Sequence, residues 1–173
     1  ALSQYFTPAW FAELLVERYF PSLDRNDLVL EPCCGDGAFL QALPIHVPAI
    51  GCEIDPVMAE RARERTGRPV LTGDFLTLKL GAQPTVVIGN PPFRLKLIEQ
   101  FLDRIYTLLP EGGRAGFILP CYALQTASTI TQLAERWSIA QEMIPRNVFP
   151  GLSKPLLFAL FSKEIKRTLV GFA

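Results

Sequence analysis

Four short stretches of this 173-residue chain combine residue types that can do chemistry. The most constrained is Ile88-Gly89-Asn90-Pro91-Pro92-Phe93, where an apolar run ends in an amide, two prolines and an aromatic ring. Tandem prolines fix two backbone φ angles, remove two N–H donors and hold the preceding residue extended. The product is a stiff corner that presents an amide side chain, bare carbonyl oxygens and a ring. Taken alone, such a corner serves equally as a site or as an inert turn. Upstream, Glu31-Pro32-Cys33-Cys34-Gly35-Asp36-Gly37 carries a G-x-G whose glycines permit a tight turn and close backbone approach to a ligand. The helix that follows would turn free N–H groups towards a negative group. Glu53-Ile54-Asp55 places an acid about 20 residues past the glycines, the spacing at which dinucleotide folds hold ribose hydroxyls. Gly73-Asp74-Phe75 sets a carboxylate beside a ring, a pair that can accept from an adenine amino group and cover one of its faces.

These stretches lie where elements change. FTPAWFAELLVERYF predicts an N-terminal helix with Thr7 as N-cap, Pro8 at its first position and Phe11, Leu14, Leu15 and Tyr19 on its apolar stripe. DLVLEP, AIGCEID, VLTGDFL, PTVVIGN and GRAGFILP read as strands, and GAFLQAL, PVMAERARERT, LKLIEQFLDRIYTLL and TASTITQLAERW as helices. In the long helix, Leu95, Ile98, Leu102, Ile105 and Leu109 form one stripe. SIAQEMIPR and PLLFALFSKEI follow as two strands with no helix between them. Alternating strands and helices predict an α/β fold, a mostly parallel sheet with helices on both faces, and the last strand pair predicts an antiparallel C-terminal edge. In such a sheet ligands sit beyond the carboxyl ends of the strands, near the switch in strand order. Each of the four stretches closes a strand.

Length and composition predict one domain over residues 1–173, with 49% hydrophobic and 20% charged residues. No apolar run reaches membrane-span length, and ALSQYFTPAW lacks signal-peptide regions, so the chain reads as soluble and cytoplasmic. Cys33, Cys34, Cys52 and Cys121 show no C-x-x-C spacing, and His46, the single histidine, cannot complete a ligand set, so neither a metal nor disulfides are expected. The 17 basic and 17 acidic residues cancel, which is a poor bulk charge for nucleic-acid binding. Their distribution is uneven: residues 1–86 hold 7 basic and 11 acidic side chains, residues 87–173 hold 10 and 6. The second half is the better place for an anion.

From about residue 4 to 161 the chain resembles the S-adenosylmethionine-dependent amino-methyltransferases, and most closely the DNA adenine-N6 methyltransferases whose cofactor motifs precede the catalytic one. YFTP at 5–8 looks like the family's N-terminal F-T-P motif, and EPCCGDGAF at 31–39 like D-P-x-x-G-x-G-x-F with Glu31 for Asp. CEID at 52–55 looks like the ribose-binding acid, GDF at 73–75 like the adenine-binding acid, and NPPF at 90–93 like the catalytic motif. NVFPGLSKPLLFALF at 147–161 looks like the late motif whose aromatic packs against a flipped base. The resemblance implies a Rossmann-like fold with a seven-stranded sheet and S-adenosyl-L-methionine as cofactor. It implies cofactor contacts from Phe6, Thr7, Pro8, Glu31, Pro32, Gly35, Gly37, Glu53, Ile54, Asp74, Phe75 and Asn90. Asn90, Pro91, Pro92 and Phe93 would form the catalytic corner, with Asn90 and the Pro91 carbonyl accepting both N–H bonds of a target amine. Phe93 and Phe149 would cover the two faces of the base. RNA adenine and protein glutamine offer the same planar amine, and a catalytically silent cofactor-binding subunit is a third reading. F-T-P and VFPGLSK make DNA the expected partner, and because the chain stops where the family usually continues into a target-recognition domain, tight specificity is expected from a further domain or subunit.

Overall fold

Side-chain alternation along the strands dictates the architecture. The computed structural model describes residues 5–163 and the backbone of 171–172. The chain runs α1 (Ala9–Tyr19), β1 (Val29–Pro32), α2 (Ala38–Ala42), β2 (Ala49–Glu53), α3 (Pro56–Thr66), β3 (Val70–Thr72), β4 (Val86–Gly89), α4 (Leu95–Leu108), β5 (Arg114–Pro120), α5 (Ala127–Ala134), β6 (Ser138–Met143), β7 (Leu156–Ser162) and β8 (Gly171–Phe172). In β4, Val86 and Ile88 pack into one core and Val87 into another. In β7, Leu156 and Phe158 face the first core, while Leu157, Ala159 and Phe161 face the second. Strands apolar on both sides must be covered on both sides. α1, α2 and α3 cover one face, and α4 with the partly buried Ile130 and Leu133 of α5 covers the other.

The strands form one sheet in the order β3-β2-β1-β4-β5-β7-β6-β8. Pairing is parallel throughout except at β7, which runs antiparallel to both β5 and β6. The expected Rossmann-like class is present, with an eighth, two-residue strand added beside β6. The expected antiparallel C-terminal strands are present too: β7 runs antiparallel to both neighbours and inserts between β5 and β6. The reason is burial. Leu156 to Ala159 and Phe161 are all buried, whereas β6 exposes Ala140 and Met143 and lies outside β7, with only the two-residue β8 beyond it.

The N-terminal helix also differs from expectation. Pro8 occupies the N-cap without a side-chain cap bond, and Thr7 turns elsewhere. Leu14 is exposed, and the buried face is Phe11, Ala12, Leu15 and Val16. In α4 the stripe holds at Ile98, Leu102 and Ile105, with Phe101 added and Leu95 exposed. Gly116 lets the end of α1 close onto β5, since a Cβ there would lie 2.6 Å from the Phe158 ring and 3.0 Å from that of Phe20. Among the described residues no helix is long and apolar enough to cross a membrane.

Candidate active site

The chain moves outward from β1 to β3, then returns to β4 on the other side of β1. This reversal opens a crevice between the carboxyl ends of β1 and β4. β1 delivers the loop Cys33–Gly37 to it, and β4 delivers Asn90. Cys33, Gly35 and Gly37 all take left-handed φ values, of 56°, 53° and 85°. A non-glycine residue held there is a strained position, the kind that clusters at functional sites.

Asn90 is clamped by the N-terminal segment. Its Nδ2 donates to the Tyr5 carbonyl at 2.9 Å and to Thr7 Oγ1 at 3.3 Å. A carbonyl only accepts, so the amide nitrogen must face Tyr5. The amide oxygen therefore points the other way, and it is buried without a hydrogen-bond partner among the described residues. An unmet buried acceptor costs about 1–3 kcal/mol. The geometry fits an oxygen waiting for an N–H from a bound molecule. The next residues hold the corner: Pro91 is buried, Phe93 is half-buried, and Tyr122 donates its hydroxyl to the Phe93 carbonyl at 2.8 Å.

On the β1 and β2 side, carboxylates organise the loop. Glu53 is 3% exposed; its Oε2 accepts from Gly35 N at 2.7 Å and its Oε1 from Asp55 N at 3.0 Å. A carboxylate has about four acceptor sites, so two bonds leave capacity for a ligand. Gly73 N donates to the Glu53 carbonyl, which draws the end of β3 to the end of β2. Asp74 is exposed, with Oδ1 accepting from Leu76 N, and Ile54 stands 54% exposed beside Glu53. Phe6 is 55% exposed next to Thr7.

Glu31 is buried and accepts from Leu40 N at 2.9 Å. Desolvation pushes its carboxyl up to about 8, so it is largely a neutral acid at pH 7. This corrects the expectation of open N–H groups at α2. The helix has only five residues, and Glu31 already takes the Leu40 N–H in its first turn. Burial likewise pushes the Cys33 and Cys34 thiols up, leaving them uncharged.

Two expected ring contacts are corrected. Phe75 is 2% exposed, edge-on to Phe101 with the Arg104 guanidinium over it, and so has no face for an adenine. Phe149 is 5% exposed and edge-on to Phe11 at 6.1 Å, inside the core beneath α1. Both face inward because a buried ring meets each of them, Phe101 at Phe75 and Phe11 at Phe149. Tyr5 was missed as a site residue. Its ring, 39% exposed, stacks on Phe93 at 6.0 Å and 21°. The only signal for it was its place beside Phe6-Thr7-Pro8. Tyr122 and Arg104, which donates to the Leu76 and Leu78 carbonyls, carried no local signal.

No protein-family model matches the chain. It is 33% identical over 184 aligned positions to the type II methyltransferase M.CvrRI of Paramecium bursaria Chlorella virus XZ-6E, covering 92% of this chain and 48% of that protein. It is 31% identical over 133 positions to the tRNA (guanine(10)-N2)-dimethyltransferase of Methanothermobacter thermautotrophicus, covering 67% of this chain and 38% of that protein. The chain thus spans less than half the length of these curated relatives. Among solved structures, the RNA methyltransferase of Salinibacter ruber in complex with S-adenosyl-L-homocysteine superposes with a TM-score of 0.62 at 15% identity, over 94% of this chain and 95% of that one. In fold, and over nine-tenths of its length in sequence, this chain is a relative of the methyltransferases.

Proposed function

We propose that the chain transfers a methyl group from S-adenosyl-L-methionine to an exocyclic amino nitrogen, N6 of adenine in DNA. The observation that carries this reading is the buried Asn90 oxygen at the carboxyl end of β4, which has no partner among the described residues. A purine amine is planar because its lone pair is delocalised into the ring, which makes it a poor nucleophile. Asn90 Oδ1 and the Pro91 carbonyl accept its two N–H bonds and localise that lone pair. The double proline and the Tyr5 and Thr7 bonds hold these acceptors in place before the substrate arrives, which is electrostatic preorganisation and alignment. When bound, S-adenosyl-L-methionine supplies an electrophilic methyl on a sulfonium leaving group. The residues present suit that cofactor: the left-handed turn at Gly35 and Gly37, Glu53 for ribose hydroxyls, Asp74 for the adenine amino group, and the exposed Ile54 and Phe6 as apolar contacts, with Thr7 and Pro8 following Phe6 in sequence and Pro32 ending β1.

Glu53→Ala is expected to weaken cofactor binding about tenfold or more, since it removes a charge-assisted acceptor and also frees the Gly35 and Asp55 amides. Calorimetric titration checks this, and unchanged affinity in both Glu53→Ala and Asp74→Ala would remove the cofactor from this crevice.

Phe93 and Tyr5, rather than Phe149, are the rings for the base. Phe93→Ala and Tyr5→Ala should each weaken use of the nucleic-acid substrate by roughly 1–3 kcal/mol, the scale of base–aromatic stacking. Phe149→Ala should instead cost about 3–5 kcal/mol of stability, as for other buried rings. A fluorescent base analogue at the target position reads the stacking effects, and urea unfolding reads the stability of Phe149→Ala; a base-analogue response to Phe149→Ala alone, with stability unchanged, would reverse the assignment.

The second reading is an RNA guanine-N2 or other RNA amine, favoured by the tRNA methyltransferase relative. The Asn90 corner serves either amine. Incubation with labelled cofactor and separate DNA, RNA and protein pools, followed by nucleoside analysis, decides between them, and no transfer to any pool overturns the proposal. Sequence-specific DNA recognition would come from a further domain or partner subunit.

A further inference from the structure

A second cavity opens on the same edge of the sheet, beyond the crevice that holds Asn90. It measures about 210 Å³ and is lined by Cys121, Leu124, Gln125, Gln141, Met143 and Leu157, with Glu142, which is paired to Arg18, also at its wall. Gln141 is 8% exposed, and its Oε1 is buried with no hydrogen-bond partner among the described residues. On the same face of β6, Ile139 is buried in the apolar core, so packing alone would favour an apolar side chain at 141. An acceptor kept there at a cost of about 1–3 kcal/mol fits a bound N–H donor.

Size and lining narrow the ligand. An apolar cavity of about 150 Å³ takes a benzene ring. This one therefore admits a single flat ring system and excludes a whole dinucleotide. Cys121 Sγ and Met143 Sδ lie 3.6 Å apart at its wall, and such polarisable sulfur makes favourable contacts with aromatic rings.

The cavity is wired to the catalytic corner. β5 runs directly into the 3₁₀ turn Cys121–Leu124, which forms one wall, and Tyr122 of that turn hydrogen-bonds to the Phe93 carbonyl. A polymer with one base at Asn90 would pass this mouth. We infer, resting on the nucleic-acid reading above, that this cavity is a second base pocket for an unstacked nucleotide near the target, taking adenine or cytosine. Gln141 Oε1 accepts from their exocyclic amine, whereas uracil and thymine present a carbonyl in its place and leave two acceptors facing each other.

The test uses the protein with labelled methionine and leucine methyl groups, saturated with S-adenosylhomocysteine to keep nucleotides out of the cofactor crevice. Titration with AMP and CMP should move the Met143 and Leu157 methyl resonances, with UMP and TMP binding about tenfold more weakly. Gln141→Leu should erase that difference, and Met143→Ala at the rim should weaken all four. Equal shifts from all four nucleotides, no movement at either methyl, or an unchanged preference in Gln141→Leu would overturn the pocket. Such a failure alongside intact methyl transfer to nucleic acid would leave the Asn90 reading standing, while absent transfer with a selective Met143 response would do the reverse.

Discussion

Asn90→Ala is expected to lower turnover at least about a hundredfold while changing cofactor affinity far less. The lost oxygen matters most as positive charge develops on the attacking amine, so its removal resembles loss of one preorganised oxyanion donor, worth about 10²–10³ in rate. Asn90→Asp should fail as well: a carboxylate oxygen would then face the Tyr5 carbonyl, which already accepts from Nδ2, and repel it. Thr7→Ala removes only the longer of the two clamping bonds and should cost less than Asn90→Ala. Single-turnover transfer of labelled methyl, beside calorimetry for the cofactor, separates chemistry from binding. Near-normal turnover in Asn90→Ala would make the proline corner a structural turn.

The second large effect is on stability. Glu31 titrates at about 8 in the folded chain, against an ordinary value of 4.5, chiefly because burial disfavours its charged form. Folding therefore takes up a proton. The stabilisation is complete below the unfolded value of 4.5 and is lost as pH rises towards 8. Over that window the wild type should lose about 3 kcal/mol relative to Glu31→Gln, whose amide oxygen still accepts from Leu40 N. Urea unfolding of both proteins at pH 5 and pH 8 measures the difference. Parallel pH dependences would show that Glu31 ionises freely in the fold.

Some of this was readable from local pattern because the physics is local. Asp55 accepts from Val57 N and Met58 N to start α3, and Gly67 at φ 67° ends it, so PVMAERARERT marks its own boundaries. The polar residues Glu31, Glu53, Asp74 and Asn90 all stand at or just past strand ends because strand period and turn chemistry place them there.

The chain by itself determined which residues reach the edge of the sheet and in what order, and its two prolines made the corner at Asn90 rigid wherever it was placed. Tertiary structure decided where side chains point. Asn90 turns its oxygen free because partners 85 and 83 residues away in sequence take its nitrogen. Phe75 and Phe149 turn inward because Phe101, Arg104 and Phe11 meet them there, and Tyr5 instead lies on Phe93. β7 enters the sheet between β5 and β6, which forms the cavity at Gln141 from elements distant in sequence. Local propensity sets φ and ψ over a few residues, whereas the direction and burial of a side chain depend on which surface packs against it, and that surface comes from elsewhere in the chain.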